Sequence, residues 1–304
     1  MRVLVVGASG AIGARLIPQL IERGHQVTGT CRSPGKTGRV RELGADPVVL
    51  DVLDPIAVGD AVAAARPDAI IHQATALAGA RFSLSLDRTF APTNRLRTEG
   101  TDALLAAARE TGVRRFVAQS FAPYRYDRRG GPVKTEDDPL DTDPPKRARQ
   151  TFAAMTHLDQ AVTGAGGIAL RYGGFYGEPD PLVSAVRRRR YPIIGDGRGI
   201  MPFIHLHDAA AATVLALEHD GPAIYNVTDD DPAPASQWMP ALADALGAKP
   251  PRRIPARVAR LIMGDGLSMM TESRGASNEK AKKELGWTLR YPTWRAGFPA
   301  SFGH

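Results

Sequence analysis

Seven residues near the start of the chain constrain its fold more than any others. Val3-Leu4-Val5-Val6 is a short, continuous apolar run, as in a strand covered on both faces. It leads directly into Gly7-Ala8-Ser9-Gly10-Ala11-Ile12-Gly13. Ile12, Leu16, Ile17, Leu20 and Ile21 then mark one face of a helix that Gly24 stops, with Pro18 as a kink point inside it. Strand, glycine-spaced turn and helix in this order form a dinucleotide-binding unit. Gly7 allows the tight turn, Gly10 lets backbone approach a pyrophosphate, and Gly13 lets the helix pack close to the sheet. The free amides at the helix start, from Ser9 through Ala11 and Ile12 to Gly13, face the phosphates.

The strand-helix alternation then repeats. Strands are expected at 26–30, 47–50, 69–71, 115–118 and 168–170, and helices at 39–43, 55–65, 97–108 and 148–162. Asp54-Pro55 reads as an N-cap with proline at the first helical position. Such alternation predicts an α/β fold, a doubly wound parallel sheet of the Rossmann type with helices on both faces. After Arg171 glycine and proline become frequent. A helix at 207–217, a strand at 224–227 that could rejoin the sheet, and a helix capped by Ser236 follow. The expected organisation is a dinucleotide-binding domain over 1–172, rejoined by about 203–230. A smaller, discontinuous substrate lobe then takes 173–202 and 231–304.

Composition excludes several classes. The apolar share of 43% is ample for a packed core. The net charge of +7 is spread along the chain, and its densest run, Arg187 to Arg190, lacks the aromatic interleaving of a nucleic-acid reader. The one cysteine, Cys31, excludes an intrachain disulfide and fits a reducing cytoplasm. Neither a signal-peptide layout nor a membrane span is expected. His205 and His207 lie two apart but have no third ligand at a convincing spacing, so no metal is expected. The expected partner is a small-molecule substrate.

Cofactor choice turns on the residue after the second strand. An acid there binds the ribose hydroxyls of NAD; here Thr30-Cys31-Arg32-Ser33 has none, and Lys36 follows. Arginine pairs well with a 2′-phosphate, so NADP is expected ahead of NAD. Asp51 and Val52, ending the third strand, are placed for the adenine edge. Gln73 and Ala74, after the fourth, complete the expected lining.

Together these residues resemble the extended short-chain dehydrogenase/reductase family, the NAD(P)-dependent epimerase/dehydratases, over nearly the whole chain. Gly100-Thr101-Asp102-Ala103-Leu104-Leu105 is similar to its central helix. Arg171 to Gly177 and Phe203 to Ala209 are similar to its L-R-Y-x-N-x-Y-G and F-I-H-V-x-D-A segments. The resemblance implies a dinucleotide cleft, a C-terminal substrate lobe, a homodimer in many members, and Tyr172 as a wall near the nicotinamide end.

The departures from that pattern carry as much information. The family's helix holds a tyrosine acid/base and, four residues on, a lysine. Anchored by Asp159, those slots hold Thr151 and Met155, and neither transfers a proton near neutral pH. Ser120 fits the first of the family's paired serines, while Phe121 takes the usual catalytic position. Arg97 stands where the family often has asparagine. Met201 replaces the arginine that clasps nucleotide-sugar diphosphates, which argues against such a substrate. The expected catalytic residues are therefore Ser120 and Tyr124, the latter a replacement acid after the fifth strand. An oxidoreductase or epimerase/dehydratase-like enzyme acting on a small carbonyl or hydroxyl compound is the first reading. A non-redox lyase, aldol-type or cyclisation enzyme, and a cofactor-binding redox sensor, stay open beside it.

Overall fold

A computed structural model of the chain describes residues 1–77 and 85–303. The first half alternates as β1 (Arg2–Val6), α1 (Gly13–Glu22), β2 (Gln26–Cys31), α2 (Thr37–Glu42), β3 (Asp46–Val49), α3 (Pro55–Ala65) and β4 (Ala69–His72). Then come α4 (Leu86–Arg95), a π-turn at Leu96–Gly100, α5 (Thr101–Thr111), β5 (Arg115–Phe121), the short β6 (Val133–Lys134), α6 (Arg149–Gly164) and β7 (Ile168–Tyr172). The remainder brings β8 (Gly174–Tyr176), α7 (Pro181–Arg187), β9 (Ile193–Ile194), β10 (Ile200–Met201), β11 (Phe203–His205), α8 (Leu206–Glu218) and β12 (Ala223–Val227). Among the later elements are α9 (Ala235–Ala245), α10 (Ala256–Met263), α11 (Leu267–Thr271), α12 (Glu279–Leu285) and α13 (Trp294–Phe302).

Seven strands form one sheet in the order β12-β7-β5-β4-β1-β2-β3, every neighbouring pair parallel. The chain winds outward from β1 in both directions, so the switch point lies between β1 and β4, where such sheets open a crevice at their carboxyl ends. One face is sealed by α1 and α8, with Leu16, Ile17, Leu20, Val214 and Leu217 against Val3, Val5 and Tyr225. The other is sealed by α3, α5 and α6, with Val58, Val62, Leu104 and Leu158 against Leu4, Val6 and Ile70. A second core gathers Tyr176, Phe203, Trp238, Trp294 and Phe298 beyond the sheet. Among the described residues no helix is long and apolar enough to cross a membrane.

Local chemistry explains the boundaries. The Asp54 carboxylate accepts from the amides of Ile56 and Ala57, capping α3 as its sequence implies. The helix α1 runs through Pro18 as one element. Two boundaries differ from the sequence reading. Ser236 is not the cap of α9, which starts at Ala235 with Pro234 in the cap position; the Ser236 amide instead donates to Gly197 O. The helix expected from Arg97 begins earlier, at Leu86, because the Ser85 hydroxyl caps it and Pro92 is accommodated within it.

Two buried histidines tie stability to pH. Burial holds His72 and His205 down at about 4, against an ordinary 6.5. The unfolded chain therefore takes up these protons first. Their contribution is complete above about pH 6.5 and is lost as pH falls toward 4. Urea midpoints measured across that window should fall steadily on the acid side. A flat profile is incompatible with two neutral buried imidazoles.

Candidate active site

The glycine turn is built by close approach of backbones. Gly7 has φ +90°, and a Cβ there would lie 2.8 Å from the Ala74 backbone. At Gly13 a Cβ would sit 2.0 Å from Ala8 O. Gly10 is different: it is exposed, and its nearest obstacle is Gly7 O at 3.3 Å. The amides of Ala8 and Gly10 are used within the chain, by Thr30 O and Gly7 O. Those of Ser9, Ala11, Ile12 and Gly13 have no backbone acceptor among the described residues. A dinucleotide pyrophosphate fits this cradle: an open face at Gly10 bordered by unused donors at a helix start.

The other expected cofactor residues surround it. Arg32 follows β2 and Lys36 ends a short 3-10 turn; both are exposed, and neither has an ion pair among the described residues. Asp51 and Val52 lie in the turn after β3 rather than at its end. Asp51 is exposed and accepts from Leu53 N, while Val52 is buried against Gly100. Gln73 donates to Val6 O from its amide, closing β4 onto β1, and its Nε2 donates to the Tyr172 hydroxyl at 3.0 Å. That hydroxyl also shares a proton with Thr213 Oγ1 at 2.6 Å, and burial pushes it up to about 12. Tyr172 is thus a locked wall, its hydroxyl held between Gln73 and Thr213.

The slots of the missing pair are filled. Thr151 is buried; its hydroxyl donates to Asp87 Oδ1 at 2.9 Å and accepts from Asn94 Nδ2 at 3.0 Å. Met155 is buried with Phe152 and Ala148, and Phe121, Tyr124 and Met269 pack against them. An apolar wall stands where a lysine ammonium is usual.

No hydrogen bond joins the side chains of Ser120 and Tyr124 among the described residues. Ser120 is fully buried, and its hydroxyl accepts from Arg125 Nη1 at 3.1 Å. The contact ties β5 to the Arg125 guanidinium. Tyr124 is half-buried with φ +67°. Its hydroxyl is driven well above the ordinary tyrosine value by burial and by the neighbouring Tyr191 hydroxyl. It stays protonated, as an acid must before it acts.

Sequence reasoning missed the polar centre of this end of the sheet. Arg125 Nη1 and Arg171 Nε both donate to Asp159 Oδ2, at 2.8 and 2.9 Å. Arg171 also donates to the Tyr126 hydroxyl, which in turn donates to Asn226 Oδ1 at 2.6 Å. Arg125, Arg171 and Asp159 are all less than 5% exposed. The signal in the sequence was Arg125, a charge between two tyrosines in the segment after the fifth strand. Around this network six buried polar atoms have no partner among the described residues: His72 Nδ1, Gln73 Oε1, Asn94 Oδ1, Arg97 Nε, Asp159 Oδ1 and Asn226 Nδ2.

The histidines serve structure. His205 Nδ1 accepts from His207 N, and its ring lies 3.9 Å from that of Tyr291. Among the described residues no cluster of histidine, cysteine and acids is arranged to hold a metal. Arg198 is exposed and paired with Asp196.

With this geometry in view, comparison with known proteins places the chain. Residues 3–228 match the NAD dependent epimerase/dehydratase family. The chain belongs to that family. It is 41% identical to a 3-diazoavenalumate denitrifying reductase of a Streptomyces species, over 98% of this chain and 99% of that protein. It is 30% identical to a 2-alkyl-3-oxoalkanoate reductase of Stenotrophomonas maltophilia, over 82% of this chain and 76% of that one. Its fold matches a UDP-glucose 4-epimerase of Thermotoga maritima with a TM-score of 0.78 at 20% identity, covering 99% and 97% of the two chains. The protein is an oxidoreductase- or epimerase-like enzyme with a nicotinamide cofactor.

Two glycine substitutions should separate folding from binding. Gly13→Ala forces backbone apart and should lower Tm and cofactor affinity together. Gly10→Ala should keep a near-normal Tm and lose affinity in calorimetric titration. In the polar network, Asp159→Asn strands two guanidiniums, and chemical denaturation should show a loss of about 3–5 kcal/mol.

Proposed function

We propose that this protein is an NADP-dependent reductase that replaces an aryl diazo group by hydrogen on a small, non-nucleotide aromatic substrate. The observation that carries the reading is an intact phosphate cradle beside a filled proton-transfer site: Gly7 to Gly13 keep their geometry while Thr151 and Met155 are packed into the slots of the usual pair. Exchange of C–N2+ for C–H takes up one hydride and releases N2. A diazonium carries its own positive charge, so no oxygen needs a proton as the hydride arrives. A carbonyl acceptor does need one, and a positioned acid there is worth about a hundred- to ten-thousandfold in rate. The 41% identical relative, named for reductive denitrification of a diazo compound, supports the same choice.

NADPH, when bound, supplies the hydride. The chain's residues do the rest. The amides of Ala11, Ile12 and Gly13 hold the pyrophosphate, and Arg32 and Lys36, free on the surface, meet the 2′-phosphate. Phe121, Phe152, Met155 and Tyr124 form an apolar wall against which an aromatic ring lies and from which water is excluded. Residues 173–202 and 231–304 close the substrate side.

A second reading is carbonyl reduction with Tyr124 as proton donor. The Tyr124–Tyr191 pair, kept neutral by burial, and the 30% identical relative named as an oxoalkanoate reductase favour it.

The deciding experiment supplies NADPH with an aryl diazonium carboxylate and, separately, with a β-keto acid. Nicotinamide oxidation with equimolar N2 release, unaffected by Tyr124→Phe, is the expected result. Turnover of the keto acid alone, abolished by Tyr124→Phe, selects the second reading. Titration with NADP and NAD should favour NADP, and Arg32→Ala should erase the difference.

A further inference from the structure

Among the described residues, Arg97 has neither a hydrogen bond nor an ion pair, although only 5% of its surface is exposed. It sits in the π-turn between α4 and α5, and π-turns often mark functional positions. That turn packs on α6, the helix that carries Thr151, Met155 and Asp159. On its other side stands His72, the last residue of β4, whose Nε2 contacts Leu96 O. Arg97 thus lies between β4 and α6, within electrostatic reach of Asp159 and Arg125.

Its surroundings do not balance its charge. Asp159, the nearby carboxylate, already receives Arg125 and Arg171 on one oxygen. Burial first, and then repulsion from Arg125, pull the Arg97 guanidinium down to about 10. Its Nε is sealed from solvent and has no partner among the described residues. An unpaired buried charge is strongly destabilising. A chain that keeps one has a use for it outside the folded protein's own contacts.

We propose that Arg97 is the receptor for an oxyanion of the substrate, a carboxylate or a phenolate, and thereby a specificity-determining residue of the active site. The inference deepens the reading of a small aromatic substrate and rests on it for the location of the ring. A planar guanidinium suits such an anion, because two of its N–H groups match two acceptor positions. It also returns a positive charge to a region that has lost its lysine, where that charge orients the substrate without moving a proton.

The test titrates the full-length protein, without and with NADP, using two probes. Benzoate offers only a carboxylate; 4-nitrophenolate, used above its own pKa, offers only a phenolate. Binding is followed by calorimetry and thermal shift. The wild type should bind at least one probe, and which one identifies the oxyanion. Arg97→Met should bind that probe about ten- to a hundredfold more weakly, and Arg97→Lys should recover part of the loss. Relieved of an unpaired charge, Arg97→Met should be at least as heat-stable as the wild type, which a merely structural arginine would not allow. Unchanged probe affinity in Arg97→Met, or no binding of either probe to the wild type, overturns the proposal. N2 release is scored separately, so failure of the diazo chemistry is distinguishable from failure of the anion site.

Discussion

One carboxylate oxygen, Asp159 Oδ2, organises the carboxyl end of the sheet. It lies between the Arg125 and Arg171 guanidiniums, and so ties the segment after β5 to β7 and both to α6. Through Arg171 the tie extends to Tyr126 and then to Asn226 on β12. Ion pairs of this kind contribute little net stability when complete and cost several kcal/mol when broken. Their value here is geometric. Four elements from distant parts of the chain are held in fixed register, and the walls of the site inherit that rigidity.

The nearby apolar wall is built largely on the same helix that carries Asp159. Thr151 has its hydroxyl fully occupied by Asp87 and Asn94, and Met155 is packed against Phe121, Phe152 and Tyr124. Neither position is loose or solvated. The helix that elsewhere presents an acid presents a greasy surface, and the charge in the region comes from arginines that cannot give up a proton at neutral pH. In the proposed reaction such a site acts through position, dryness and electrostatic field, the means suited to an acceptor that needs electrons more than protons.

Much of this was legible in the sequence. The central strands β1, β4 and β7 showed as apolar runs, because a strand buried on both faces has no polar alternation to confuse. The cradle was legible because its glycines answer to steric limits, and sterics are local. The filled slots of Thr151 and Met155 were legible by their spacing from Asp159. What could not be read depends on contacts across the fold. Ser120 looked available, and only the three-dimensional position of Arg125 shows its hydroxyl taken. Leu86–Arg95 escaped because Pro92 and a polar composition mask a helix whose stability comes from packing on α6. Arg97 read as a simple departure from an asparagine; its isolation appears only when burial and partners are known together.

The tight packing around Thr151 and Met155 also makes these two positions hard to substitute. Asp87 occupies one side of that hydroxyl and Asn94 the other, while Phe121 and Phe152 crowd Met155. A tyrosine placed at 151 meets a carboxylate that disfavours its ionised form, and a lysine at 155 enters an apolar wall close to three arginines. A replacement at either position therefore has to displace bonded or packed neighbours as well as the residue itself.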